Sequence, residues 1–123
     1  MEWKLELIML PVSDVDRAKA FYTDKAGFVA DHDVQVDAEV RFVQLTPPGS
    51  ACSIAIGTGI TDGAPGSVKG LQMVVPDIQA AHDQLAERGM DVSDVSVLAW
   101  GSFVYFNDPD GNSWAVQELP KRG

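Results

Sequence analysis

The chain has 123 residues, 46% hydrophobic and 22% charged, enough for one domain with an ordinary core. A net charge of −9 excludes the basic face that nucleic acid or an anionic membrane would need. The single Cys52 excludes an intramolecular disulfide, no apolar run approaches the roughly 20 residues of a membrane span, and the charged, alternating N-terminus is unlike a signal peptide, so a cytoplasmic protein is expected.

Residues 3–12 alternate as a strand, with Leu5, Leu7 and Met9 on one face and Ile8, Leu10 and Val12 on the other. Ser13-Asp-Val-Asp16 reads as a helix start, and Val15, Ala18, Phe21 and Tyr22 share a face of the helix that follows. Gly27 fits its C-cap. A weak strand follows near Val29–Val36, then a clearer one at Val40–Thr46, a turn at Pro47-Pro-Gly49 and a strand at Ala51–Gly57. Cys52 alternates onto the helix side of that strand and reads as core.

Gly57–Lys69 is rich in Gly, Pro and Ser and reads as a linker. Beyond it the plan repeats. Residues 70–89 mirror 7–27 as strand, Asp, helix and Gly, with Ile78, Ala81 and Leu85 as the helical stripe. Residues 103–118 mirror 41–56, Asp-Pro-Asp-Gly standing where Thr-Pro-Pro-Gly stood. An EF-hand calcium loop would need Gly at its sixth position and Glu at its twelfth. Counted from Asp108, Gly111 is fourth and Leu119 is twelfth, so Asp108-Pro-Asp-Gly-Asn112 reads as a hairpin turn.

The duplicated βαβββ plan, the "DPDGN" hairpin and "LPVSDVDRAKAFY" together resemble the vicinal oxygen chelate superfamily of glyoxalases, extradiol dioxygenases and bleomycin-type binding proteins. The resemblance implies one α+β domain over 1–123, built of two tandem modules (about 3–57 and 70–119, joined by 58–69). Their mixed sheets would curve into a cup, with helices on the convex side. Ligands of such proteins bind on the concave face, from a cup closed within one chain or between two.

Metal-using members place His, Glu or Gln at four cup positions, which fall here on Leu7, Ser53, Gly70 and Ala115. Those four offer one hydroxyl, whereas a catalytic divalent ion wants about three His, carboxylate or thiolate ligands. The expectation is no metal and no cofactor. His82 reads as a solvated helix residue, and His32 as a surface histidine whose neighbours Asp31 and Asp33 point to the other face.

The expected lining is apolar and aromatic with a few polar anchors. Resemblance to fosfomycin-type enzymes contributes Phe103 and Tyr105, and the repeat offset carries these to Arg41 and Val43. Alternation adds Met9, Gln72 and Gln117 to Leu7 and Ser53, with Trp100 in a nearby loop. Trp114 faces the helices as core, Glu118 points away from the cup, and Tyr105 is the one candidate acid on the lining. The expected function is metal-independent binding of a hydrophobic or aromatic metabolite or antibiotic by a homodimer. A metal-free isomerase or cyclase is the alternative, and a metal-dependent lyase or dioxygenase comes behind it.

Overall fold

Each strand of this chain alternates between a face that packs on helices and a face that does not. A computed structural model describes residues 1–120. In chain order the elements are β1 (Leu7–Met9), α1 (Val15–Ala20), a π-helical turn (Phe21–Lys25), β2 (Val29–Gln35), β3 (Arg41–Thr46), β4 (Ser53–Thr58), β5 (Leu71–Val74), α2 (Ile78–Glu87), β6 (Ser96–Leu98), β7 (Gly101–Asn107) and β8 (Ser113–Glu118). They form two four-stranded mixed sheets in the orders β1-β4-β3-β2 and β5-β8-β7-β6. In each, the first strand runs parallel to the last, as a βαβββ module requires. This is the α+β tandem-module fold that the duplication implies. No helix among the described residues is long and apolar enough to cross a membrane.

Three local expectations need correction. The first strand is only Leu7–Met9, because Met1–Glu6 lie exposed outside the sheet. The N-cap of α1 is Asp14, whose carboxylate accepts from the Arg17 N–H at 3.0 Å. Ser13 instead donates its hydroxyl to Asp110 in the distant hairpin. Cys52 stays half-buried at the entrance to β4, outside the core.

The extra residue of the π-helical turn rotates the chain so that Phe21 and Tyr22, adjacent in sequence, both pack inward. Phe21 meets Phe106, with ring centroids 6.1 Å apart, and Tyr22 meets Phe28 and Trp114 at 5.4 and 5.9 Å. Gly27, just past this turn, takes the left-handed φ of 76° that ends a helix without strain. Ile54, Ile56, Val43 and Leu45 of the first sheet and Val104, Phe106, Trp114 and Val116 of the second complete the core. Fully burying each such side chain stabilises the fold by about 1.5–3 kcal/mol. Both sheets thus turn their helix-side faces toward one shared core. Their other faces, here called open, turn away from one another.

The Asp108–Asn112 hairpin holds the modules together through buried polar groups. Tyr22 donates its hydroxyl to Asp108 at 2.9 Å and accepts from the Trp114 indole N–H at 2.9 Å. Burial, with the Asp108 charge beside it, pushes the Tyr22 phenol far above its usual range. The carboxamide of Asn112, fully buried, donates to the Pro11 carbonyl at 2.9 Å and to Asp108 at 2.8 Å. Its oxygen accepts from the Val68 N–H at 3.0 Å. The motif is indeed a turn, but its polar side chains point inward and join both modules and the linker.

Candidate functional site

Strand register assigns every expected site residue except Trp100 to a face. Leu7 stands beside Ser53 and Met9 beside Ala55 on the open face of the first sheet. On the second sheet Gln72 stands beside Ala115, Ala115 opposite Tyr105, and Gln117 opposite Phe103. The open face therefore does carry Leu7, Met9, Ser53, Gln72, Phe103, Tyr105 and Gln117. Trp100 lies in the tight β6–β7 turn, largely exposed. Trp114 is in the helix-side core, as alternation requires. Glu118 turns to the helix side, where its carboxylate accepts from the Ile78 N–H at the start of α2.

Arg41 and Val43 are on the wrong face. Val43 pairs with Ile56 and is fully buried in the helix-side core. Arg41 reaches the helix layer: Nε and Nη2 donate to Asp33 at 3.0 and 2.8 Å, and Nη1 donates to Asp16 of α1 at 2.8 Å. Arg41, with Lys19 assisting, holds the Asp33 carboxyl far below the usual carboxylate range. The error lies in the hairpins. Between the paired Leu45 and Ile54 lie residues 46–53, whereas between the paired Phe106 and Trp114 lie residues 107–113, one fewer. A one-residue difference flips the face. An offset correct for β4 and β8 therefore inverts β3 relative to β7.

The true open face of β3 is Phe42, Gln44 and Thr46, residues the sequence reading passed over. The signal was the other half of the same alternation, and only the hairpin length chooses between the halves. Gln44 donates to the Ser53 hydroxyl at 3.2 Å, Ser53 and Thr46 hydroxyls lie 2.6 Å apart, and Thr46 donates to Asp31. A bulge between Ala30 and His32 keeps Asp31 within reach of this face, against the expectation that it would turn away. Asp33 does turn away, and His32 pairs with Gln44 as an exposed open-face residue.

The second sheet presents aromatic rings and amides. Phe103 and Tyr105 stand parallel, with an interplanar angle of 1° and centroids 6.0 Å apart. Phe103 is buried beneath its neighbours while Tyr105 is 42% exposed, so one ring face remains available to a guest. Gln72 donates to the Gln117 carbonyl oxygen at 2.6 Å, and Gln117 donates to the Trp100 main-chain carbonyl at 2.8 Å. A separate groove of about 460 Å³ runs past the β5 edge, between Phe28, the Pro47–Ser50 turn and α2, with Gln72 on its rim.

The four positions at which metal-using relatives carry ligands, Leu7, Ser53, Gly70 and Ala115, do not fit a divalent ion. Their single oxygen, on Ser53, is already engaged by Gln44 and Thr46. Among the described residues, no group of three His, Cys, Asp or Glu side chains is arranged to hold a metal.

Two βαβββ modules sharing a core, with a helix-free face on each sheet, define a tandem-module domain of the chelate type. The chain belongs to the Glyoxalase/Bleomycin resistance protein/Dioxygenase superfamily, whose sequence profile matches residues 4–116. It is similar to the crystal structure of TnmS3, an antibiotic binding protein from Streptomyces sp. CB03234, with 32% identity, 97% of this chain and 98% of that chain covered, and a TM-score of 0.86. A glyoxalase/bleomycin resistance protein from the same organism is 33% identical over 93% of this chain and 99% of that one, with a TM-score of 0.80. The uncharacterized protein YetH of Bacillus subtilis (strain 168) is 26% identical over 87% of this chain and 91% of its own length.

Proposed function

We propose that this is a cytoplasmic, metal-independent binding protein that sequesters a planar, largely apolar metabolite or antibiotic without turning it over. The observation that carries the reading is the parallel Phe103–Tyr105 pair on a helix-free face. Aromatic contacts add about 0.5–1.5 kcal/mol each beyond area burial. The likeness to an antibiotic binding protein at 32% identity supports the same reading.

The proposal includes a homodimer. The open faces leave Met9, Val29, Val34, Val74, Leu98 and Tyr105 exposed, more apolar surface than a solvated sheet needs. Because these faces diverge within one chain, the first-sheet face of one copy would meet the second-sheet face of its partner, giving two cups. A metal-free isomerase or cyclase is the second reading, favoured by the relay that links the buried Ser53 hydroxyl through Thr46 to Asp31.

The test is a screen of two- and three-ring aromatic compounds by tryptophan fluorescence, in chelator and with added nickel or zinc. Saturable quenching that ignores metal, weakens in Tyr105→Ala and returns the compound intact supports binding. Compound recovered chemically altered favours the enzyme. Binding or stability that depends on stoichiometric metal sinks the metal-independent reading.

A further inference from the structure

The hydrogen bonds on the two open faces have directions that the chemistry forces. On the second sheet the chain ends at the main-chain carbonyl of Trp100, which can only accept. Gln117 must therefore give its N–H there and turn its own carbonyl oxygen outward. Gln72 must meet that oxygen with its amide nitrogen, leaving the Gln72 carbonyl oxygen without a partner among the described residues. Gly101 makes the arrangement possible. A Cβ at that position would lie 2.8 Å from the Gln117 amide nitrogen, and its φ of 145° disfavours other residues.

The first sheet repeats this logic with other groups. Its chain ends at the Asp31 carboxylate, again an acceptor. Thr46 donates to it, so Ser53 donates to Thr46, and Gln44 must offer Ser53 its amide nitrogen. The Gln44 carbonyl oxygen is left over in the same way. An amide that donates through nitrogen is polarised toward a better acceptor at oxygen. Both faces thus end in an acceptor.

Positive charge is missing from these faces. Arg41 is the only lysine or arginine in the eight strands, and it is spent on Asp33 and Asp16 on the helix side. The chain as a whole carries a net charge of −9. We infer that the cup selects a neutral planar guest bearing hydrogen-bond donors, such as a phenol, through the Gln72 and Gln44 carbonyl oxygens, and discriminates against carboxylates. This rests on the binding reading above.

Three naphthalenes that differ in one substituent separate the possibilities: 2-naphthol donates, 2-methoxynaphthalene only accepts, and 2-naphthoate is anionic. The expected result is that 2-naphthol binds roughly two- to tenfold more tightly than the methyl ether, as one net hydrogen bond allows, with 2-naphthoate weakest. Tyr105→Ala should weaken all three, which locates them in the cup rather than in the groove beside β5. Gln72→Leu combined with Gln44→Leu should erase the advantage of the naphthol over its ether. Both glutamines lie at the surface or only partly buried, so the fold tolerates the change, and the ratio in the unsubstituted protein is informative by itself. Equal binding of all three, tightest binding of 2-naphthoate, or a naphthol preference that survives both substitutions overturns the inference while leaving the cup standing. Absence of binding by any of the three removes the cup as well.

Discussion

Replacing Asn112 by alanine tests the polar tie between the modules. The side chain is fully buried and makes three hydrogen bonds: donation to the Pro11 carbonyl and to Asp108, and acceptance from the Val68 N–H. Alanine leaves the half-buried Val68 N–H without a partner, and the buried Pro11 carbonyl with only the longer bond from the Gly66 N–H at 3.3 Å. An orphaned group costs about 1–3 kcal/mol, and a lost hydrogen bond whose acceptor keeps another donor costs about 0.5–1.5 kcal/mol. Asp108 suffers less, because it keeps the N–H groups of Asp110 and Asn112 and the Tyr22 hydroxyl. The expected loss is about 2–4 kcal/mol, a large part of the stability of a domain this size. Urea unfolding followed by circular dichroism and by tryptophan fluorescence measures it. Asn112→Asp should be at least as unstable at neutral pH, because it sets a second carboxylate against Asp108. An alanine variant within about 0.5 kcal/mol of the original would refute the account, since that is the scatter of ordinary surface substitutions.

Two further expectations concern pH. The Asp33 carboxyl is held low by Arg41 and Lys19, so its ion pairs stabilise the fold above the ordinary aspartate value of about 3.9, and that contribution is lost as pH falls below it. Arg41→Ala should cost about 1 kcal/mol at pH 7, the pair being partly solvated, and the gap between variant and original should narrow progressively as pH falls from about 4 toward 2; a gap that does not change with pH counts against the network. The Tyr22 phenol is held high, so stability should be full below the ordinary tyrosine value of about 10 and fall above it, where the unfolded chain ionises and the folded one resists. Tyr22→Phe should lose about 1–3 kcal/mol at neutral pH, chiefly through the orphaned Trp114 indole N–H, since Asp108 keeps the Asn112 carboxamide and two main-chain N–H groups, yet show a shallower alkaline decline; an alkaline decline as steep as that of the original protein would show that another group sets it.

What the sequence disclosed depended on how local each determinant was. The face of β8 was legible because Trp114, Ala115, Val116 and Gln117 alternate without a break, while Phe103 and Tyr105 of β7 came from the family resemblance. Arg41 and Val43 were misplaced because repeat similarity survives a one-residue change of hairpin length, whereas side-chain orientation does not. Ser13 and Asp14 are both competent caps in a local window. What separates them is Asp110, 97 residues away, which takes the Ser13 hydroxyl. The β6 strand, Ser96–Leu98, left no sequence signal of its own: three residues are too few for a period. The amide and hydroxyl relays were invisible because each link joins different strands.

The contacts from the Asp108–Asn112 hairpin to Tyr22 and Pro11 close loops of 86 and 101 residues. Contacts so remote in the chain slow folding, since the entropy of closing the loop is spent before the bond forms. They also cut across the duplication. A half-length chain ending in the linker would keep Tyr22 but lose Asp108, Phe106 and Trp114, exposing the helix face that they cover. The two repeats, similar as sequences, are therefore not autonomous as folding units. Cooperativity belongs to the pair, and a nascent first module must wait, with its aromatic face uncovered, for the second to leave the ribosome.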